Sequence, residues 1–193
     1  MNVGIFGGTF NPPHVGHLIV AERAREDLGL HKVLFVPSFI SPHKQHEELA
    51  APRLRLEMVG LALRGQELFE TSSLEIDRGG VSYTVDTLEH LRHVYTGDNL
   101  FLLIGMDNLA EFSTWRCPER IAELARVVVM TRPGFHFDAG NNDLRQSFAF
   151  CQVPEIGISS RGIRERVKDG KSIRFLVPPA VESFISQQRL YRV

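Results

Sequence analysis

The feature that most constrains this chain is a regular alternation. Short apolar runs, most closed by glycine or proline, are separated by segments with helical spacing. Val3–Phe6 runs into Gly7-Gly8, Lys32–Val36 into Pro37, and Leu100–Ile104 into Gly105, with a further run at Ala125–Met130. Runs this short and this uniformly apolar predict strands buried on both faces. Phe69–Ile76 reads as another strand, and 148–158 holds a weaker sixth. Helical spacing marks Gly16–Leu28, Tyr83–Tyr95, Pro118–Leu124, Ser160–Val167, the stretch opened by Pro52 and a last one after Pro178-Pro179. Pro52 suits a first helical position, and Gly29 and Gly170 suit helix stops.

Strands separated by helices need crossover connections, so the sheet is expected to be parallel and covered on both faces. The expected fold class is therefore α/β, a Rossmann-like, doubly wound, mainly parallel sheet with helices on both faces. The 193 residues suit one domain spanning 1–193. A sheet of this kind binds ligands at the carboxyl ends of its strands. The residues just after Phe6, Val36, Ile104, Met130 and Ile158 should then border one cleft.

Charge narrows the partners. With 22 basic and 23 acidic residues, the formal charge is -1. No global positive field draws the chain to nucleic acid or to an anionic membrane, so any phosphate binding must be local. No apolar run approaches the roughly 20 residues that span a bilayer. The first residues read as a strand and not as a signal peptide. Cys117 and Cys151 lie far apart and form no CxxC pair. A reduced, cytoplasmic protein is expected.

The first chemical motif runs Gly7-Gly8-Thr9-Phe10-Asn11-Pro12-Pro13-His14-Val15-Gly16-His17 and joins a strand to a helix. Glycines at the strand end let the backbone approach a ligand, and the helix start offers free amides to phosphate. His14 and His17 can aim two imidazoles at one place from that start. A dinucleotide-binding GxGxxG with an acid after the second strand is not present, since Pro37-Ser38 stands there. The GxxxxGK[ST] loop is also absent. His43 and His46 repeat the HxxH spacing, but neither pair has a cysteine near it in sequence, which disfavours structural zinc. A second motif, Ile158-Ser159-Ser160-Arg161-Gly162-Ile163-Arg164, opens a helix. Ser160 is the expected N-cap, and Arg164 one turn on could reach a phosphate with its planar fork of donors.

Together these stretches resemble the HxGH nucleotidyltransferase superfamily, and the GGTFNPPHxGH form is similar to that of bacterial nicotinate mononucleotide adenylyltransferases. Pro42-His43-Lys44, Ser82–Leu88, Gly105–Asn108, Trp115 and Arg132-Pro133 fit the same family, so the resemblance covers nearly the whole chain. It implies catalytic roles for His14, His17 and Arg164. It implies ATP contacts from Gly7, Gly8, Thr9, Phe10, His14, His17, Gly105, Asp107, Ser159, Ser160 and Arg164. Lys44, Thr84, Trp115 and Arg132 would hold the pyridine nucleotide, with Trp115 stacking on its cationic ring. Arg161 stands where a serine or threonine is common in relatives.

The implied reaction joins ATP to nicotinate mononucleotide, giving nicotinate adenine dinucleotide and pyrophosphate in NAD biosynthesis. It needs no enzyme nucleophile, which suits a site of imidazoles, amides and cations. Mg2+ would arrive with ATP and need no protein metal site. The partners are small molecules, with no nucleic acid and no membrane; a homo-oligomer stays open. Three alternatives also stay open: an enzyme for nicotinamide mononucleotide, one for pantetheine phosphate, or a catalytically silent nucleotide-binding regulator.

Overall fold

A computed structural model describes residues 1–42, 49–131 and 148–192. The chain lays down β1 (Asn2–Gly8), α1 (Val15–Asp27), β2 (Lys32–Pro37), α2 (Pro52–Ala62), β3 (Phe69–Thr71), α3 (Leu74–Arg78) and α4 (Thr84–Val94). It continues with β4 (Asn99–Gly105), α5 (Met106–Glu111), a 3-10 turn (Phe112–Thr114), α6 (Pro118–Leu124), β5 (Arg126–Thr131), β6 (Ala149–Gln152), α7 (Ser160–Lys168) and α8 (Pro179–Gln187). The six strands form one sheet in the order β3-β2-β1-β4-β5-β6. Every pairing in it is parallel. That is the expected doubly wound order, and it reverses between β1 and β4.

Strand residues alternate between two cores, as the period of two demands. Val3, Ile5, Leu102 and Ile104 pack with Leu88 and Leu91 of α4 and Ile121 of α6 on one face. Phe6, Val33, Phe35, Phe101 and Leu103 pack with Ala21 and Ala24 of α1 and Val59 of α2 on the other. Gly4 is what allows the second face to close. A Cβ there would lie 2.7 Å from Leu30 Cδ1 and 3.3 Å from Val33 Cγ2. A third cluster joins Met58 of α2, Ile163 of α7 and Val181, Phe184 and Ile185 of α8. It pins the helix of the second motif beside α2. Among the described residues, no helix is long and apolar enough to cross a membrane.

Two local expectations need correction. The third strand ends at Thr71, and Leu74–Arg78 is a helix where a strand was expected. The serine pair explains the switch. Ser72 Oγ accepts the Leu74 N–H at 3.3 Å, Ser73 O accepts from Asp77 N at 2.8 Å, and the Ser73 hydroxyl donates to Asp77 at 2.5 Å. Such local bonds compete with a ladder and turn the chain. At the start of α7 the cap is Ser159, whose Oγ accepts from Gly162 N at 3.1 Å. Ser160 is instead the first helical residue, which frees its hydroxyl for another partner. Elsewhere, α5 begins directly at Met106 with Gly105 as its cap, so Asp107 sits in the first turn, where its charge suits the helix dipole.

Candidate active site

The cleft opens at the carboxyl ends of the strands, beside the reversal between β1 and β4. One cavity of about 590 Å³ is bordered by Gly7–Asn11, His17, Thr84, Trp115, Ser160 and Arg164. A second, of about 440 Å³, lies beside His14, Gly105, Asp107, Met130 and Ile156. His17 and Asp107 line both. Volumes of this size match small-ligand sites.

The loop after β1 is held under strain. Phe10 has φ 47°, in the left-handed region, yet it is buried. A non-glycine residue there costs of order 1–3 kcal/mol. Aromatic packing offsets it: the Phe10 ring meets Phe6 edge-on at 5.7 Å and His17 at 5.1 Å. Gly8 makes room, since a Cβ there would lie 3.0 Å from the Phe10 ring. The result is a loop wrapped around its own aromatic plug.

The carbonyls of this loop, which would repel a phosphate, are turned onto donors from elsewhere. Gly8 O accepts from Ser38 N at 2.9 Å, and Thr9 O accepts from Arg55 Nη1 at 2.8 Å. Asn11 O accepts from Arg164 Nη1 at 2.9 Å, and Pro12 O accepts from the Ser160 hydroxyl at 2.8 Å. The second motif therefore grips the first through Ser160 and Arg164. Sequence reading assigned Arg164 to phosphate, and Ser160 to the helix cap and to phosphate; each also braces the loop. Arg164 also borders the cavity.

His14 and His17 meet as expected, with ring centroids 3.7 Å apart and 27° between planes. The His14 N–H donates to His17 Nδ1 at 3.1 Å. That bond places the proton of neutral His17 on Nε2. Burial lowers the His14 pKa to about 4. Burial, joined by repulsion from His14, holds His17 well below the usual imidazole range. The unliganded pair is therefore neutral at pH 7. Gly16 keeps the pair in place: a Cβ there would lie 3.0 Å from His14 Nδ1 and 3.3 Å from Ile156 Cγ2.

At the other end of the cleft, Thr84 is the first residue of α4 and Trp115 follows the 3-10 turn. The Trp115 ring lies 5.2 Å from Phe112, tilted by 35°, and Trp115 borders the cavity. Arg116 stands 4.8 Å over the Tyr83 ring and 3.6 Å from Asp86 Oδ2. Nearby, Glu75 is buried and accepts from the Thr87 hydroxyl at 2.6 Å. Burial pushes the Glu75 carboxyl up, tempered by hydrogen bonds from Thr87 and Ser82 and by Arg78.

Gly7, Gly8, Thr9, Phe10, His14, His17, Gly105, Asp107, Ser160, Arg164, Thr84 and Trp115 thus all border the two cavities. Ser159 acts as the cap of α7. Arg161 turns to solvent and pairs with Glu165 at 3.0 Å. Lys44 and Arg132 lie outside the described residues, as do His43 and His46. Cys117 is exposed and Cys151 buried, both as free thiols.

Sequence reading missed four residues: Arg55, Asn11, Glu75 and Tyr191. Asn11 stood inside the first motif without a role of its own, and Arg55 had left a signal on α2. With Met58, Val59 and Ala62 it forms the buried stripe of α2, at helical spacing.

The cytidylyltransferase-like family model matches residues 5–166. A probable nicotinate-nucleotide adenylyltransferase of Thermus thermophilus is 43% identical over 192 residues, covering 100% of each chain. One from Salinibacter ruber is 40% identical, covering 100% of this chain and 98% of the relative. The chain belongs to the nicotinate-nucleotide adenylyltransferase branch of the cytidylyltransferase-like family. Its fold matches that of a nicotinic acid mononucleotide adenylyltransferase from Plasmodium falciparum, solved with NaAD, at TM-score 0.78 and 17% identity, covering 98% and 97% of the two chains. A putative nicotinate-nucleotide adenylyltransferase from Vibrio parahaemolyticus aligns at TM-score 0.72 and 24% identity, covering 99% and 95%. At those identities the likeness speaks for the fold. The full-length relatives carry the family assignment.

Proposed function

We infer that this chain transfers the adenylyl group of ATP to nicotinate mononucleotide, releasing pyrophosphate and forming nicotinate adenine dinucleotide for NAD biosynthesis. The observation that carries this is the stacked His14–His17 pair beside a braced glycine loop, at one end of a cleft whose other end holds Trp115. The membership of the family, with relatives named for this activity across their full length, supports it.

In the step itself, a phosphate oxygen of the acceptor forms a bond to the α-phosphorus of ATP. The bond from that phosphorus to the β-bridging oxygen breaks, and pyrophosphate leaves with the electron pair. No proton must move, so the protein's task is alignment and charge stabilisation. His17 Nε2–H and the His14 ring would donate to the triphosphate. The first-turn amides of α7 and the Arg164 guanidinium would hold the outgoing pyrophosphate. The neutral histidines would gain charge only as phosphate approaches, since an anion favours the protonated form. Thr84 and Trp115 would orient the pyridine end, the indole face meeting the cationic ring. Lys44 and Arg132 would add cations to the acceptor side.

Mg2+ would enter on the ATP phosphates. Its oxygen ligands would come mainly from phosphate and water. The enzyme would work in the cytoplasm on small molecules. The deciding experiment compares pyrophosphate release from ATP with nicotinate mononucleotide, nicotinamide mononucleotide and pantetheine phosphate. Nicotinate mononucleotide should turn over fastest. A preference for pantetheine phosphate, or no release with any acceptor, would refute the assignment.

A further inference from the structure

We propose that Arg55 is a positioning residue for adenylyl transfer, acting from behind the phosphate loop without touching substrate; this rests on the adenylyltransferase reading above. Arg55 lies on α2 and is 1% exposed, the largest fully buried side chain among the described residues. Its fork makes three hydrogen bonds, all to backbone carbonyls of different segments. Nη1 donates to Thr9 O at 2.8 Å, Nη2 to Phe39 O at 2.8 Å and Nε to Ala50 O at 3.0 Å.

The geometry explains why a buried cation is placed there. Thr9 sits at the turn of the loop that faces the triphosphate. Its carbonyl points back to Arg55, so the loop cannot rotate that oxygen toward the cleft. Phe39 follows β2 on the acceptor side, and its N–H donates to the Ser82 hydroxyl, which borders the cavity. One planar group therefore ties the ATP loop to the acceptor side at a fixed spacing. In-line attack depends on that spacing, because small misplacements of the reacting atoms cost large factors in rate.

The charge itself has no carboxylate partner within ion-pair distance among the described residues. A guanidinium stays protonated even when burial disfavours its charge. The Glu75 carboxyl, beyond ion-pair distance, still favours that charge. The directional grip is the main element. Three carbonyls at the corners of one plane need the flat fork of arginine. The compact ammonium of lysine cannot reach all of them.

The test uses the full chain with Arg55→Met, Arg55→Lys and Arg55→Ala. Folding is checked by thermal melting, ATP affinity by calorimetric titration and turnover by pyrophosphate release. The methionine and lysine variants should melt cooperatively above the assay temperature and bind ATP at least tenfold more weakly. Their turnover at saturating substrates should fall at least tenfold. Lysine should recover little of either loss. Guanidinium chloride at sub-denaturing concentration should restore part of the turnover of Arg55→Ala and leave the methionine variant unchanged. Wild-type ATP affinity in Arg55→Lys would show that charge alone suffices and overturn the proposal. So would values within twofold of wild type in both variants. Failure of all three variants to fold would assign Arg55 to the core and overturn it as well. A wild-type protein that binds ATP yet forms no dinucleotide would sink the functional reading instead, and the binding titration would still judge Arg55.

Discussion

The hydroxyl of Tyr191 donates to Asn11 Oδ1 at 2.8 Å, joining residues 180 positions apart in the chain. The same oxygen accepts from Ala50 N at 3.1 Å, while the Asn11 carbonyl takes Arg164. Asn11 is thus the knot that ties the C-terminal segment, the start of α2 and α7 to the phosphate loop. Burial raises the Tyr191 phenol beyond its ordinary range, so it remains a donor at any working pH. Tyr191→Phe removes one bond and leaves the other two. Calorimetry should show a stability loss of about 1 kcal/mol, and a Tm lower by roughly 2–4 °C. Turnover should fall by less than tenfold. A loss in turnover without any change in Tm would mean that the hydroxyl serves the reaction directly.

Stability should fall at mildly acid pH because of the histidine pair. Burial holds the His14 pKa at about 4 in the folded chain, against an ordinary value of 6.5. Between those values the unfolded chain binds the extra proton. The contribution, about 3 kcal/mol, is therefore complete above about pH 6.5 and is lost as the pH falls through about 4. His17 acts in the same direction, and the raised Glu75 carboxyl partly opposes both. Urea unfolding at pH 7 and pH 4.5 measures the difference. Equal stability at the two values would show that the pair is not buried neutral.

His17→Ala should lower turnover by more than tenfold and leave the fold intact. The ring fills space between Phe10 and His14, so a modest loss of Tm is also expected. Steady-state kinetics with both substrates is the check. Near wild-type turnover would remove His17 from the reaction.

Trp115→Ala should weaken the pyridine nucleotide and spare ATP. The indole packs on Phe112 at one end of the cleft, away from the Gly7–Phe10 loop in the sequence and attached to a different strand. Separate titrations of the two substrates decide it. Equal weakening of both would mark Trp115 as a structural residue.

Much of this architecture was legible because it is written in local chemistry. Four uniformly apolar runs placed four of the strands, and the HxGH spacing placed two imidazoles that do stack. What escaped was set by long-range bonds. Nothing near Tyr191 in the sequence announces Asn11. Ser160 looks like a cap until Pro12 O is seen to claim its hydroxyl, leaving Ser159 to cap the helix. The stretch after Thr71 kept two apolar residues at strand spacing, Leu74 and Ile76, yet Ser72 and Ser73 turned it into α3, which brings Glu75 to the wall of the cleft. Arg55 was hidden by its type. An arginine between two leucines reads as the polar face of a helix, and only its place on the Met58–Val59–Ala62 stripe showed that it points inward.

The central claim is that the site aligns two nucleotides and reacts them directly, with no group of the protein entering a covalent bond. Single-turnover quenching with ATP labelled at the α-phosphorus and excess nicotinate mononucleotide tests this most directly. Label should pass from ATP to dinucleotide with matching pyrophosphate and none on the protein at any time. Label appearing on the denatured protein before dinucleotide forms would contradict the account.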